Sequence, residues 1–134
     1  MLFTKASEYA LLSLILISQK SSPVDVDTIS NELKISKSFL AKILQNLAKE
    51  QILKSYKGAN GGFALQADPQ NISIKTIIEC AEKREVSVFE CSTSADGCLS
   101  AKASSCQIWL MFTGLQNKVD EMLDAIKLSD IIKK

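Results

Sequence analysis

A chain of 134 residues has room for one compact domain and a short added element. It contains no histidine, which excludes histidine metal ligands and histidine-based acid–base catalysis, and its net charge is only +1. No apolar run reaches the ~18 residues of a membrane span, and the start lacks a signal-peptide pattern, so a cytoplasmic protein with reduced cysteines is expected.

Met1 to Thr4 reads as extended. A first helix is expected from about Lys5 to Gln19. Its apolar residues, Tyr9, Leu11, Leu12, Leu14, Ile15, Leu16 and Ile17, wrap widely round the axis and predict burial on most sides. Glu8 falls in its first turns, where the helix dipole favours a carboxylate. Lys20 to Pro23 ends this helix. Asp25 or Asp27 caps a second one, with Ile29 and Leu33 inward. Lys34-Ile35 turns into a third helix with Ser36 at its N-cap. There Leu40, Ile43, Leu44 and Leu47 recur at helical spacing, and Lys37, Ser38, Lys42, Gln45 and Lys49 fall on the other faces. Two helices joined by so short a turn predict a helix-turn-helix.

Ile52–Tyr56 and Phe63–Leu65 read as two short strands. The turn between them, Lys57-Gly58-Ala59-Asn60-Gly61-Gly62, carries three glycines. A helix feeding a glycine-tipped hairpin is the recognition helix and wing of a winged helix, a fold that lays the helix in a major groove and the wing on the backbone. The charge agrees. Residues 34–57 hold six lysines against one acid, Glu50, whereas residues 58–134 hold eight bases against ten acids. A local basic face suits phosphate contacts, whose strength comes from counterion release.

Asp68 to Asn71 reads as a loop. Ser73 caps a fourth helix from Ile74 to about Lys83, with Ile74, Ile77, Ile78 and Ala81 inward and Cys80 as a small buried hydrophobe. From Arg84 to Ser105 the periodicity is lost. This stretch holds Cys91 and Cys98 and runs straight into Cys106, with six and seven residues between successive thiols. The spacing matches neither a zinc ribbon nor a ferredoxin. Three spread thiols can wrap an iron–sulfur cluster, but bare redox-active thiols or zinc remain open on spacing alone. A long helix is expected from Gln107 to about Lys127. Ile108, Phe112, Leu115, Val119, Met122 and Ile126 are spaced 4, 3, 4, 3, 4, the repeat of a coiled-coil seam. A symmetric homodimer through this helix is the economical cover for it. Leu128 to Lys134 reads as a tail with a short helix.

The expected fold is therefore mainly α with a small β-hairpin wing: a winged helix-turn-helix plus a long C-terminal dimerisation helix. Three stretches are expected: 1–83 as the DNA-binding domain, 84–106 as a cysteine-containing, cluster-binding loop, and 107–134 as the dimerisation helix and tail. For DNA contact the candidates are Lys37, Ser38, Phe39 and Lys42 near the start of the recognition helix, with Ser36 at its cap. Ser38 and Lys42 are placed to reach base edges. Phe39 reads either as a contact to a thymine methyl or as a core residue. Lys5, Lys54, Lys57, Asn60 and the backbone at Gly58, Gly61 and Gly62 would hold phosphate without reading sequence.

Thr4-Lys5-Ala6-Ser7-Glu8-Tyr9-Ala10-Leu11, Ile35-Ser36-Lys37-Ser38-Phe39-Leu40, Lys57-Gly58-Ala59-Asn60-Gly61-Gly62-Phe63, the cysteine triplet and Leu128-Ser129-Asp130-Ile131-Ile132 together resemble the Rrf-two family of bacterial winged-helix regulators, the group of IscR and NsrR. The resemblance implies a homodimer on a palindromic operator. It also implies a 2Fe–2S or 4Fe–4S cluster held by Cys91, Cys98 and Cys106. In some members an acid in the first helix of the partner subunit is the fourth ligand, and Glu8 matches it. In IscR that ligand is a histidine three residues past the last cysteine, where this chain has Trp109, which cannot ligate. Two departures stand out: the cysteine gaps exceed those usual in IscR, and Ala41 replaces a base-reading glutamate of many members.

The resulting expectation is a DNA-binding transcription regulator, a repressor, switched by a cluster that senses oxygen, nitric oxide or iron–sulfur status. A thiol- or zinc-based regulator of the same fold is the alternative. A cluster-carrying electron-transfer protein stands behind both, and the lysine cluster speaks against it. An enzyme is not expected, because the glycine-rich turn lacks the Lys-Ser/Thr ending of a phosphate-binding loop.

Overall fold

The computed structural model describes residues 3–87 and 107–132. The elements run α1 (Lys5–Ser18), α2 (Val26–Leu33), α3 (Lys37–Lys49), β1 (Leu53–Tyr56), β2 (Gly62–Leu65), α4 (Ile74–Glu82), α5 (Gln107–Ala125) and α6 (Leu128–Ile131). The mainly helical winged helix-turn-helix read from the sequence is the architecture present.

Polar side chains set the helix starts. Thr4 is extended and its hydroxyl accepts from the Ala6 amide, Asp25 accepts from Thr28 N at the start of α2, and Ser73 accepts from Thr76 N at the start of α4. Asp25, not Asp27, is therefore the cap of α2. Ser36 occupies the cap position of α3, but its hydroxyl makes no capping bond. It shares a hydrogen bond with the Ser38 hydroxyl at 3.2 Å instead. Lys34 turns the chain between α2 and α3 in the left-handed region, at φ 60°.

The main core gathers Leu14 of α1, Ile29 of α2, Leu40, Leu44 and Leu47 of α3, Ile77 of α4 and Leu128 of α6, all fully buried. Each such side chain contributes roughly 1.5–3 kcal/mol relative to an exposed one. α1 is covered along one stripe, Ser7, Ala10, Ser13, Leu14 and Ile17, and Leu12 stays exposed. It is less enclosed than its apolar run suggests, because α2, α3, α4 and β2 pack on it and leave one flank open.

The wing pairs Leu53 with Leu65 and Tyr56 with Gly62 in an antiparallel hairpin. Val24, in the connection before α2, adds an isolated bridge to Phe63, with Phe63 N donating to Val24 O at 2.7 Å and Val24 N to Phe63 O at 2.9 Å. The backbone passes so closely here that a β-carbon on Gly62 would lie 2.4 Å from Val24 C, and Gly62 has a φ of +140°. Only glycine fits.

The C-terminal stretch returns into this body. Ile74 N donates to Ile126 O and Leu128 N to Ile72 O, each at 2.9 Å, around a bridge between Ser73 and Lys127. Residues 126–131 are thus built into the winged-helix unit. A second small core, Ile74, Ile78, Val86 and Leu123, joins α4 to α5, and Val119 and Ile126 pack against it.

Candidate nucleic-acid interface

The fold leaves one face of α3 bare. Leu40, Ile43, Leu44 and Leu47 point inward, which turns Ser36, Lys37, Ser38, Phe39 and Lys42 to solvent. A groove of about 490 Å³ opens along this face, bounded by Lys5, Tyr9, Lys34, Ser38, Phe39 and Lys42. Three of those six side chains are lysines, so the groove is basic. Phe39 is 43 % exposed. Its ring meets Tyr9 edge to face, with centroids 5.6 Å apart. It belongs to the surface, not to the core. Lys5 Nζ sits 6.0 Å from the centroid of the Tyr9 ring, and its ammonium also pairs with Glu8 at 3.2 Å.

Lys37 is held by Asp27 of α2 at 2.7 Å, with both side chains well exposed. The hydrogen bond and charge of Asp27 keep the ammonium above the usual lysine range. A phosphate arriving here exchanges one anionic partner for another. The wing adds Lys54, Lys57, Gly58 and Asn60, all exposed, and the Lys54 ammonium lies over the Tyr56 ring at 5.3 Å. Gly58 is the open tip, with free space where a β-carbon would stand. Gly61 and Gly62 are half-buried at the base of the wing, where Gly61 N closes the turn onto Gly58 O at 3.0 Å. Tyr9 and Lys34 are groove residues that sequence reasoning did not single out. Lys34 was visible as one of the clustered lysines, but only the left-handed turn brings it beside Lys42.

The candidate cluster ligands Cys91, Cys98 and Cys106 lie outside the described residues. Glu8 is 54 % exposed in the first turn of α1, at the edge of the basic groove. Cys80 is a different kind of thiol. It is half-buried and donates to Asn46 O at 3.3 Å. Burial, with Glu50 adding and Lys83 opposing, pushes it up to about 11.

The expected seam on α5 divides into two. Ile108, Leu115 and Met122 are exposed, joined by Leu110 and Met111, and Phe112 is half-buried. Val119 and Ile126 pack instead on the chain's own α4 core. The same 3–4 spacing serves a partner helix and the helix's own domain alike, so periodicity could not separate them. Among the described residues no helix is long and apolar enough to cross a membrane.

The comparisons agree with this geometry. The family model described as Rrf2, iron-dependent transcriptional regulator, matches residues 3–134. The HTH-type transcriptional regulator IscR of Vibrio vulnificus strain YJ016 is 30 % identical over 123 residues, covering 92 % of this chain and 70 % of that protein. IscR of T. potens has a similar structure, with a TM-score of 0.73 at 22 % identity, over 96 % of this chain and 83 % of that one. CymR of B. subtilis, described as the global cysteine regulator, superposes with a TM-score of 0.71 at 21 % identity, over 96 % and 94 % of the two chains. These relatives are regulators and not enzymes, and the exposed recognition helix beside a wing is what such a protein presents to DNA. The chain belongs to the Rrf2 family of transcriptional regulators.

Proposed function

We propose that the chain acts as a homodimeric repressor whose affinity for a palindromic operator is switched by an iron–sulfur cluster, 2Fe–2S or 4Fe–4S. The observation that carries the DNA half of this reading is the basic groove of α3, with Lys5, Lys34 and Lys42 around exposed Ser38 and Phe39. Residues 1–83 read the operator, residues 84–106 hold the sensing group, and α5 joins the two copies. On the operator, Ser38 and Lys42 meet base edges and Phe39 a thymine methyl. Lys5, Lys37, Lys54, Lys57 and the Gly58 tip take phosphates.

The donor chemistry fits a cluster. Cys91, Cys98 and Cys106 supply the thiolates, and Glu8, exposed near the groove, is the carboxylate available to the other subunit. Cys80, half-buried and donating to Asn46 O within the winged-helix unit, is left out of the proposed ligand set. When bound, such a cluster supplies a centre that reacts with oxygen or nitric oxide. A thiol-oxidation switch is the second reading, and it needs the same three cysteines. The fold likeness to CymR, the global cysteine regulator of B. subtilis, favours keeping it in view.

Anaerobic purification with iron, sulfide and zinc quantified separates the two. Iron and sulfide in near-equal amounts, lost when the three cysteines are changed to serine, are expected. Iron-free protein whose operator affinity still responds to oxidation would favour the thiol switch. The dimer has its own test. Leu115 and Met122 are exposed on α5, so Leu115→Asp with Met122→Asp should leave the fold intact and halve the mass seen by sedimentation. An unchanged mass, or a wild type that is already monomeric, would remove α5 as the joining helix.

A further inference from the structure

The Glu82 carboxylate lies where three parts of the molecule meet. Its side chain is 5 % exposed and its two oxygens serve different elements. Oε2 accepts from the Ser7 hydroxyl at 2.5 Å. Oε1 accepts from Arg84 Nη2 at 3.2 Å. Ser7 is buried in the first turns of α1, so this bond adjoins Glu8. Arg84 stands on the other side, at the start of the stretch that carries the cysteines. Two residues on, Val86 is pinned from both sides: its amide donates to Glu79 of α4 at 3.1 Å, and its carbonyl accepts from Gln116 of α5 at 2.9 Å. One nearly buried carboxylate thus ties the DNA-facing end of α1 to the start of the cysteine stretch.

The Glu82–Arg84 pair is a weak stabilising device, because the Arg84 side chain is more than half exposed and water screens its charge. An apolar pair would hold α1 to α4 at least as well. We propose that Glu82 is a positioning residue that couples the cysteine stretch to the DNA-reading face, through its bonds to Arg84 on one side and to Ser7 on the other. This rests on the sensing function proposed above. Loss of the Arg84 contact leaves Oε1 nearly buried without that cation. The carboxylate relieves this by turning to water, which releases Ser7 in the first turns of α1. Lys5, Glu8 and Tyr9 then shift together against the start of α3. The coupling is reciprocal, so operator binding must also alter the cysteine stretch.

The test compares wild type with Glu82→Gln, which keeps an acceptor for Ser7 but loses the charge facing Arg84, and with Arg84→Gln at a site 55 % exposed. If the first variant fails to fold, the second carries the test. Binding to duplex from upstream of the protein's own gene is measured for anaerobically purified protein and again after air oxidation. Wild type should differ between the two states by about fivefold or more, the usual floor for coupled sites. Both variants should bind like wild type in one state and differ less than about twofold between states. Alkylation rates of Cys91, Cys98 and Cys106 with and without that duplex give the reciprocal measure. They should respond to DNA in wild type and not in the variants. Variants that respond as wild type does would overturn the coupling and leave the sensing function standing. A wild type that binds the duplex equally in both states would remove both.

Discussion

Replacing Lys37 and Lys42 together by alanine should weaken operator binding by about a thousandfold or more at moderate salt. Lys42 lines the groove of α3 and has only solvent over it. A good lysine–guanine contact is worth about 1–3 kcal/mol of discrimination, and the proposed dimer would lose it twice. About 4 kcal/mol is close to three decades in affinity. Lys37 adds a second effect. It is paired with Asp27 at 2.7 Å, so its removal leaves an unshielded carboxylate facing the incoming phosphate. The slope of log affinity against log salt should flatten by about 0.9 for each phosphate contact removed, or nearly 2 for the pair of Lys37 side chains. Asp27→Asn in the wild-type background should act oppositely and raise affinity for non-specific DNA. Titrations of a labelled duplex at several salt concentrations check all three. A loss below tenfold, with the slope unchanged, would mean that another face reads DNA.

Gly62→Ala should lower the melting temperature by about 10 °C. The added methyl would stand 2.4 Å from Val24 C and 2.6 Å from Asp25 N, on a backbone at φ +140°. Positive φ alone costs a non-glycine residue about 1–3 kcal/mol. Relieving the clash means pushing back Val24, which strains the two bridge bonds to Phe63, each worth about 1 kcal/mol. The sum is about 3 kcal/mol, and each kcal/mol moves the midpoint of a domain this size by roughly 3–5 °C. Gly58→Ala is the contrast. It has φ +101° but nothing within 4 Å of the new methyl, so it should cost about 1 kcal/mol. Thermal unfolding followed by circular dichroism distinguishes them. Equal shifts for the two variants would show that the approach to Val24 is unimportant.

Much of the helical layout was readable from the sequence because strong amphipathic periods mark it. Leu40, Ile43, Leu44 and Leu47 fix the inner face of α3 without any tertiary information, and that decides which lysines are left outside. Ser73 shows the start of α4 plainly, whereas the Thr4 cap of α1 emerged only from the structure. Features made by pairs of distant residues were not readable. The Val24–Phe63 bridge has no periodicity, since each side contributes a single residue. The Ser73–Lys127 bridge joins positions separated by the whole cysteine stretch. On α5, Val119 and Ile126 satisfy the same spacing as Ile108 and Leu115, and only packing against Ile74 and Ile78 shows that they serve their own chain. The Glu82 contacts were equally hidden. Nothing local distinguishes a carboxylate that ends a helix in solvent from one that reaches back to Ser7 across 75 positions.

The docking of Leu128 carries a consequence for synthesis. Its side chain is fully buried in the same core as Leu14 and Leu44, more than a hundred positions after the first of them. A nascent chain that has released α1, α2, α3 and the wing from the ribosome therefore still has an unfilled centre. The winged-helix unit is filled only once α6 emerges, so a product truncated before it is born with its recognition helix poorly supported and its apolar interior open to aggregation.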